Sequence, residues 1–252
     1  MELLIVTLAS LLAGFVDAIV GGGGLILLPA LFAVFPVAPP ATLFGTNKAA
    51  SVWGTAAAAV QYAKRVDMRW KTLLPAAGAG FAGALGGAWL VTMVSSGYLR
   101  KALPFVLLAV LAYTLVKKDM GHTHAPRFTG HTETAVACCI GLLLGFYDGF
   151  FGPGTGSFFV FLFVRWLGYD FLNASASAKL LNTATNLSAL GLFAWKGHVW
   201  WHIAVVMAIA NVVGSLLGTR LALKHGSSFV RVVFMVMVSI LILKSGFDAY
   251  FR

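Results

Sequence analysis

GFVDAIVGGGG, residues 14–24, and GFYDGFFGPGTG, residues 145–156, each place an aspartate and then a cluster of helix-breaking residues in very apolar surroundings. Glycine and proline interrupt a continuous helix. At membrane depth, unwound backbone is tolerated only where protein, water or a ligand satisfies its polar groups. The repeated arrangement therefore predicts two broken helices beside a polar site, and the alternative is that the glycines only let helices pack closely.

The composition is that of a protein embedded in a membrane. Of 252 residues, 60% are hydrophobic and only 10% are charged, and the mean hydropathy is +0.89. A soluble domain is about half apolar and about a quarter charged. The net charge of +10 lies in short loops between apolar segments, as the positive-inside bias predicts. We therefore expect a multi-pass membrane protein with no soluble domain and no nucleic-acid partner.

Few residues in this sequence suggest catalysis or metal binding. Cys138 and Cys139 are adjacent in an apolar run and read as small buried hydrophobes. His122 and His124 form only a weak metal pattern. No serine–histidine–acid set, zinc motif or phosphate loop is visible. We expect neither an enzyme nor a bound metal or cofactor.

The apolar segments fall into two sets of four. They span residues 3–35, 41–63, 70–95 and 99–116, and then 134–167, 172–195, 199–223 and 228–243. The first segment of each set is too long for one simple span and contains the glycine-rich stretch, so it should break into two helical pieces. The chain thus divides into a first transmembrane repeat, 1–118, a polar linker, 119–133, and a second transmembrane repeat, 134–252.

The two sets of segments are an internal sequence repeat. Adding 131 to a position in the first half gives the same residue type in the second at Gly14, Phe15, Asp17, Gly21, Gly23, Lys48, Gly83, Gly87 and Arg100. A constant offset across four segments predicts a duplicated all-α polytopic fold of about eight transmembrane segments. For the spaced glycines in 83–87 and 214–218, the simplest role is close helix packing.

Repeats of this kind are common in secondary transporters, in inverted or parallel form. If the loop that holds Lys64, Arg65, Arg69 and Lys71 is cytoplasmic, an inverted arrangement leaves fewer basic residues outside than a parallel one. The charges therefore favour inverted repeats, with both termini outside and the linker in the cytoplasm.

Four charged residues lie deep inside apolar segments, away from the segment ends: Asp17, Lys48, Asp148 and Lys179. Each costs about 3 kcal/mol or more at the centre of a membrane, so such residues usually face a cavity or each other. In one interpretation the lysines line an anion site, and the aspartates hold the broken loops or take part in proton coupling. In the other, Asp17 pairs with Lys48 and Asp148 with Lys179 for structure only.

Polar groups near the lysines extend the candidate site. Asn47 precedes Lys48, and Asn182 and Asn186 follow Lys179 at spacings that place all three on one helix face. A helix that restarts after a break offers free N–H groups to an anion. The substrate-binding candidates are Lys48, Lys179, Asn47, Asn182, Asn186, Gly21, Gly23, Gly152 and Gly154. For each asparagine alone, an interhelical hydrogen bond is an equal alternative.

At these residues the sequence resembles the TauE/SafE sulfite exporter family. The motifs that carry the resemblance are GFVDAIVGGGG, TNKAAS, GFYDGFFGPGTGSFF and ASAKLLNTATN, and it covers essentially the whole chain. It implies a permease of the bacterial inner membrane with duplicated halves, moving small sulfur-containing or organic anions such as sulfite and sulfonates. It also marks Pro153 beside the candidates above.

We therefore expect a secondary transporter, or exporter, of a small anion, with sulfite and organosulfonates as the leading substrates. Its partners are then the anion and the lipid bilayer, and a homodimer is left open. One rival is a cation-coupled or channel-like carrier that uses Asp17 and Asp148. The other is a membrane scaffold or sensor without transport.

Overall fold

The computed structural model describes residues 1–94 and 125–251, and in these two stretches every regular element is a helix. Beyond residue 230 it describes only the side chains of residues 232, 233 and 236. The predicted segment 99–116, Arg100, the linker residues 119–124 and His122 and His124 lie outside the described residues.

Eight helices follow one another in the described chain. They are α1 (Glu2–Val20), α2 (Gly24–Val34), α3 (Pro40–Ala63), α4 (Trp70–Val91), α5 (Gly130–Phe150), α6 (Thr155–Leu162), α7 (Phe171–Trp195) and α8 (Trp201–Phe251). A π-helical turn, Phe163–Leu167, extends α6. Helix α8 covers both segments predicted at 199–223 and 228–243, with a break between them at Gly226. Helix α5 begins inside the stretch predicted as linker.

The two long first segments break where the glycines are clustered. Gly21 and Gly22 have φ values of 76° and 96°, and Gly152 and Gly154 have 88° and 80°. A side chain at such a φ clashes with the backbone, and glycine avoids the clash. The predicted division of each segment into two helices, α1 and α2 and then α5 and α6, is confirmed.

Helix boundaries repeat at the same offset as the residues. Helices α2, α3 and α4 begin at residues 24, 40 and 70, and α6, α7 and α8 begin at 155, 171 and 201, each 131 positions later. The sequence duplication is therefore a duplication of structure.

Spaced glycines join the two repeats along two seams, where α4 packs on α5 and α8 packs on α1. A Cβ at any of the four would lie 2.0–2.3 Å from a carbonyl oxygen of the facing helix: Gly83 at Leu142, Gly87 at Phe146, Gly214 at Leu11 and Gly218 at Phe15. The two seams are equivalent under the repeat. Adding 131 to Gly83 gives Gly214, and subtracting 131 from its partner Leu142 gives Leu11; the same shift relates the Gly87 contact to the Gly218 contact. The packing role expected of these glycines is confirmed.

Helices α3 and α7, which are equivalent in the repeat, run in opposite directions. Gly45, near the start of α3, lies against the carbonyl oxygen of His198, which follows α7. Tyr62, near the end of α3, and Ser175, near the start of α7, donate to the adjacent carbonyls of Ala18 and Ile19. The start of each helix thus lies beside the end of the other.

One end of the molecule, which we call the basic end, joins the α3–α4 loop, the start of α5 and the α6–α7 loop. Arg69 Nη2 lies 3.0 Å from Glu133 Oε2, and the Tyr169 hydroxyl donates to Glu133 Oε1 at 2.5 Å. Burial, and then this hydrogen bond, raise the pKa of Tyr169, so its phenol stays protonated and donates. The described basic residues of this end include Lys64, Arg65, Arg69, Lys71, Arg127, Arg165 and Lys224.

At the opposite end the chain carries few basic residues. The rings of Phe35 and Trp200 meet edge to face at 5.3 Å, and Lys196 Nζ donates to Thr92 Oγ1 at 2.7 Å. The α2–α3 loop, the end of α4 and the α7–α8 loop therefore share this end. Among the described loop residues there, Lys196 is the one lysine, and arginine does not occur.

The distribution of polar side chains suits a lipid environment. Helices α1, α4 and α5, and α8 as far as Val230, are each long and apolar enough to cross a membrane. Leu143 and Ile209 are 67% and 64% exposed on the outer surface, whereas Lys179 is fully buried. Helices α3 and α7 are equally long but hold most of the buried polar side chains, so they form the centre of the protein.

Candidate functional site

A cavity of about 20 Å³ lies where the two broken helices meet α3 and α7. A water molecule needs about 10–15 Å³ by this kind of measure, so the cavity has room for roughly one water and is closed to a larger solute. Nine predicted site residues line it: Asp17, Gly23, Asn47, Lys48, Asp148, Gly152, Gly154, Asn182 and Asn186.

The two glycine clusters touch each other beside this cavity. A Cβ on Gly21 would lie 2.2 Å from the carbonyl carbon of Gly156, and one on Gly24 would lie 3.3 Å from Pro153 Cα. Gly21 does not line the cavity. Its missing side chain lets the two breaks approach, so the structure gives it a packing contact in place of the substrate contact expected from the sequence.

Gly23 differs from Gly21 and Gly22 in conformation. Its φ of −53° is right-handed, whereas those two residues have a positive φ. A Cβ there would lie 2.7 Å from the carbonyl oxygen of Ala13 and 2.8 Å from Asp17 Cβ. Gly23 is thus required for the close return of the chain over α1.

The buried charges beside the cavity form two pairs, and each pair joins the two repeats. Lys48 Nζ lies 2.7 Å from Asp148 Oδ2, and Lys179 Nζ lies 2.9 Å from Asp17 Oδ2. The partners predicted within each repeat, Asp17 with Lys48 and Asp148 with Lys179, are wrong. The reason is that α1 ends beside α7, where Ser175 meets Ile19, so the lysine nearest to Asp17 belongs to the other repeat.

Lys48 has the position expected of an anion ligand. It is only 3% exposed, lies on the cavity wall, and donates through Nζ to Asn186 Oδ1 at 2.9 Å. A Cβ on Gly152 would lie 3.1 Å from Lys48 Nζ. The absent side chain at Gly152 therefore leaves room for the ammonium group beside the second break.

Lys179 lies behind the site and not on its wall. It is fully buried and contacts the cavity only through its partner Asp17. The other oxygen of Asp17, Oδ1, accepts from the Gly23 N–H at 3.2 Å. Lys179 thus orients a carboxylate that contacts the restart of α2, and its own ammonium group is not part of the cavity wall.

Polar backbone groups at the breaks have partners, as burial requires. Three hydroxyls donate to the last carbonyls of α1: Tyr62 to Ala18, Ser175 to Ile19 and Ser157 to Val20, at 2.9, 3.1 and 3.3 Å. At the second break, the hydroxyls of Tyr147 and Thr155 donate to the carbonyls of Pro153 and Gly152 at 2.7 and 2.9 Å. Side-chain hydroxyls therefore stabilise the unwound backbone at both breaks in the protein interior.

Two buried oxygens at the cavity lack a hydrogen bond among the described residues. One is Asn47 Oδ1, on a residue that is 6% exposed. The other is Asp148 Oδ2, which has the Lys48 ammonium as its ion-pair partner at 2.7 Å. Buried polar atoms are nearly always satisfied, so this wall has unused capacity for a ligand or a proton.

Sequence reasoning missed several residues of the wall. Ser51, Thr55 and Asn211 line the cavity beside the predicted groups. Asn211 donates through Nδ2 to the carbonyl of Ser10 at 3.0 Å. It is the counterpart of Gly80 at the 131-residue offset. A lone asparagine in the apolar run IANVV was the signal that could have found it.

Residues 6–245 match the family described as Sulfite exporter TauE/SafE. The chain belongs to this family. It is 39% identical over 236 residues to a probable membrane transporter protein, ORF9, of Sinorhizobium sp, covering 92% of this chain and 87% of that one. It is 33% identical over 241 residues to the probable membrane transporter protein YfcA of Escherichia coli K12, covering 96% and 88%.

A probable membrane transporter protein of Haemophilus influenzae is 32% identical over 240 residues, covering 94% of this chain and 91% of that one. No solved structure matches the chain. The family and these relatives are membrane transporters and not an enzyme family, in agreement with the apolar helices and the resemblance seen in the motifs.

Proposed function

We propose that this TauE/SafE protein is a secondary transporter of small oxyanions, with sulfite and organosulfonates as substrates, and that it crosses the bacterial cytoplasmic membrane several times. The observation that carries the proposal is the position of Lys48. This buried cation lies on the wall of a central cavity between two broken helices. A lysine with a purely structural role would not need to face a polar cavity at the middle of the bundle.

The chemistry of the wall suits an oxyanion. Lys48 offers three donors, and the side-chain amides of Asn47, Asn182 and Asn186 can add more. Helices α2 and α6 both begin at the cavity, and helix N-termini favour negative charge. An anion also gains more from a cation that is shielded from water than from one in bulk solvent.

The arrangement of the two halves suits alternating access. Substrate sites of secondary transporters lie at the interface of repeats, beside discontinuous helices, near the middle of the membrane. We propose that the repeats are inverted in the membrane, with both termini outside and the basic end in the cytoplasm. We further propose that transport is outward, which the description of the family as sulfite exporters supports.

Flux in proteoliposomes tests this function. Purified protein is reconstituted, and radiolabelled sulfite flux is measured for the wild type and for Lys48→Gln. Hydrogen bonds to charged groups contribute about 1.5–3 kcal/mol, so loss of the charge should lower sulfite affinity roughly ten- to a hundredfold. The matched control is Lys64→Gln, which removes an exposed lysine next to the end of α3 and should leave flux unchanged.

A second variant guards against misfolding. Lys48→Gln with Asp148→Asn leaves no unpaired buried charge, so it should fold and yet transport no sulfite. Recovery of flux in this double variant would show that Lys48 only neutralises Asp148. Absence of flux of sulfite, sulfate, thiosulfate and methanesulfonate through the wild type would contradict anion transport and favour the scaffold or sensor.

A further inference from the structure

We propose that Asp148 is the coupling-proton site of this transporter: its carboxylate takes up one proton when an anion binds Lys48, while the pair of Asp17 with Lys179 stays intact. The inference rests on the proposed function, because it concerns the same cavity. It goes further because it gives the two charge pairs, which are equivalent in sequence, different roles. The pair of Lys48 with Asp148 breaks during transport, and the pair of Lys179 with Asp17 does not.

The two aspartates differ in how they are held. Asp17 has a donor on each oxygen: the Gly23 N–H on Oδ1, and Lys179, which is fully buried, on Oδ2. Asp148 is 1% exposed, and among the described residues Lys48, with Nζ 2.7 Å from Oδ2, is the one partner of its carboxylate. Asp17 is thus fixed by its partners, and Asp148 is the carboxylate that can exchange its partner.

Lys48 lacks the space to bind an anion while it keeps both of its present partners. Its Nζ contacts Asp148 and Asn186, in a cavity with room for about one water molecule. An anion that binds Lys48 must therefore take the place of Asp148. The displaced carboxylate would then lie close to the anion in a nearly dry site, where two negative charges repel strongly. Protonation of Asp148 removes this repulsion.

Among the residues that the structure describes, the charged and titratable groups around Asp148 leave it no cation besides Lys48. Helix α3 supplies Lys48. Across the cavity, α1 supplies Asp17, which Lys179 of α7 already neutralises. On α5 itself, the neighbouring Tyr147 uses its hydroxyl on the Pro153 carbonyl.

The remaining packed elements face this part of α5 with neutral groups. From α6, the Thr155 hydroxyl donates to the Gly152 carbonyl. Helix α4 presents backbone, since a Cβ on Gly149 would lie 2.0 Å from the carbonyl oxygen of Ala84. Among the described residues, a proton is therefore the positive charge that can replace Lys48 at Asp148.

The cycle balances as follows. A proton from the solution on the loading side bonds to a carboxylate oxygen of Asp148, and Lys48 transfers its contact to the anion. After the cavity opens to the other side, the anion leaves, Lys48 pairs again with Asp148, and the proton is released there. One proton moves with each anion in the same direction, so the cycle is electroneutral for a singly charged anion.

Proton uptake on sulfite binding tests the proposal. Calorimetric titration of the purified protein in buffers of different ionisation enthalpy gives the protons bound per sulfite. Protonation of sulfite itself contributes equally to all variants and cancels in their difference. The wild type should take up about one more proton per sulfite than Asp148→Asn. Its sulfite affinity should accordingly fall about tenfold more per pH unit on the alkaline side.

A carboxylate outside the cavity serves as the comparison. Glu133→Gln removes a buried carboxylate of the same helix at the basic end. This variant should keep the wild-type proton uptake. Equal uptake by the wild type and Asp148→Asn, or loss of uptake in Glu133→Gln, would overturn the assignment.

A measurement on the wild type does not depend on any variant. Difference infrared spectroscopy should show, on addition of sulfite, the C=O band of a newly protonated carboxylic acid shielded from water. Sulfite binding without this band would overturn the proton site and leave anion transport standing. A wild type that binds no sulfite would contradict the proposed function itself.

Discussion

At the residue scale, Lys48 and Lys179 show how equivalent positions acquire different roles. Both are buried, both pair with an aspartate of the other repeat, and 131 positions separate them. Lys48 lies on the cavity wall beside Asn186, whereas Lys179 is covered completely and reaches the cavity only through Asp17. Their neighbours differ too, since Asn47 beside Lys48 is matched by Ala178 beside Lys179.

The crossed pairing predicts a specific pattern of rescue. Asp17→Asn and Lys179→Gln should each destabilise the protein by about 3–5 kcal/mol, because each leaves a buried charge without its partner. The double variant should recover most of that loss. Thermal unfolding of the purified single and double variants gives the coupling free energy of the pair from a double-mutant cycle.

The control combines the residues that the sequence alone would pair. Asp17→Asn with Lys48→Gln leaves both Lys179 and Asp148 unpaired, so its destabilisation should be at least the sum of the single changes. A positive rescue in this combination, and none in Asp17→Asn with Lys179→Gln, would contradict the observed pairing.

The sequence identified most residues of this site but not their partners. An apolar flank marks a lysine or aspartate as buried, and a constant offset marks two of them as equivalent. Neither signal says which helix lies beside which, and that relation decided the pairs of Asp17 and Asp148. Asn211 was missed for a similar reason, because its counterpart Gly80 has no polar side chain to draw attention to it.

At the element scale, the broken helices depend on glycines with two separate requirements. Gly21 needs both a positive φ and the absence of a side chain, since its Cβ would lie 2.2 Å from the carbonyl carbon of Gly156. Gly154, at the start of α6, has a φ of 80°. The sequence predicted where the helices break because glycine and proline clusters are local signals. It did not predict that the two breaks touch, because that contact is tertiary.

Gly21→Ala should therefore separate the breaks and disable the site. We expect a loss of about 1–3 kcal/mol in stability from the strained backbone alone, and a larger loss of sulfite flux because Gly156 must shift beside the cavity. Thermal unfolding and proteoliposome flux measure the two effects separately.

Gly78→Ala is the matched control, in the exposed middle of α4. A Cβ there meets nothing within 4 Å, and alanine is favoured over glycine inside a helix by about 1 kcal/mol. This variant should be as stable as the wild type or more so, with full flux. If Gly21→Ala behaved like Gly78→Ala, the contact between the breaks would have no part in the site.

At the scale of the whole molecule, the two repeats hold each other together. The first helix of each repeat packs against the other repeat: α1 packs on α8, and α5 packs on α4, along the glycine seams. The charge pairs cross in the same sense. Any motion of one repeat against the other must therefore change the seams and the ion pairs together. The cavity between the repeats would change shape in the same motion.

The division of basic residues between the two ends bears on how this assembly lies in the membrane. The basic end carries Arg65 in the α3–α4 loop, and the opposite end carries Lys196 in the α7–α8 loop. Adding 131 to 65 gives 196, so these loops are equivalent in the repeat. The sequence could only weigh an inverted against a parallel arrangement by counting charges, because the direction of a helix leaves no local signal.

Cysteine labelling at these two equivalent positions tests the inverted topology. Arg65→Cys and Lys196→Cys are introduced separately into a Cys138→Ser, Cys139→Ser background and treated with a membrane-impermeant maleimide in spheroplasts. Lys196→Cys should react in intact spheroplasts, and Arg65→Cys only after permeabilisation, because basic loops are retained in the cytoplasm.

Val37→Cys, 96% exposed in the α2–α3 loop, should react like Lys196→Cys. Equivalent positions of parallel repeats lie on one side of the membrane, so labelling of Arg65→Cys and Lys196→Cys from the same side would contradict inversion.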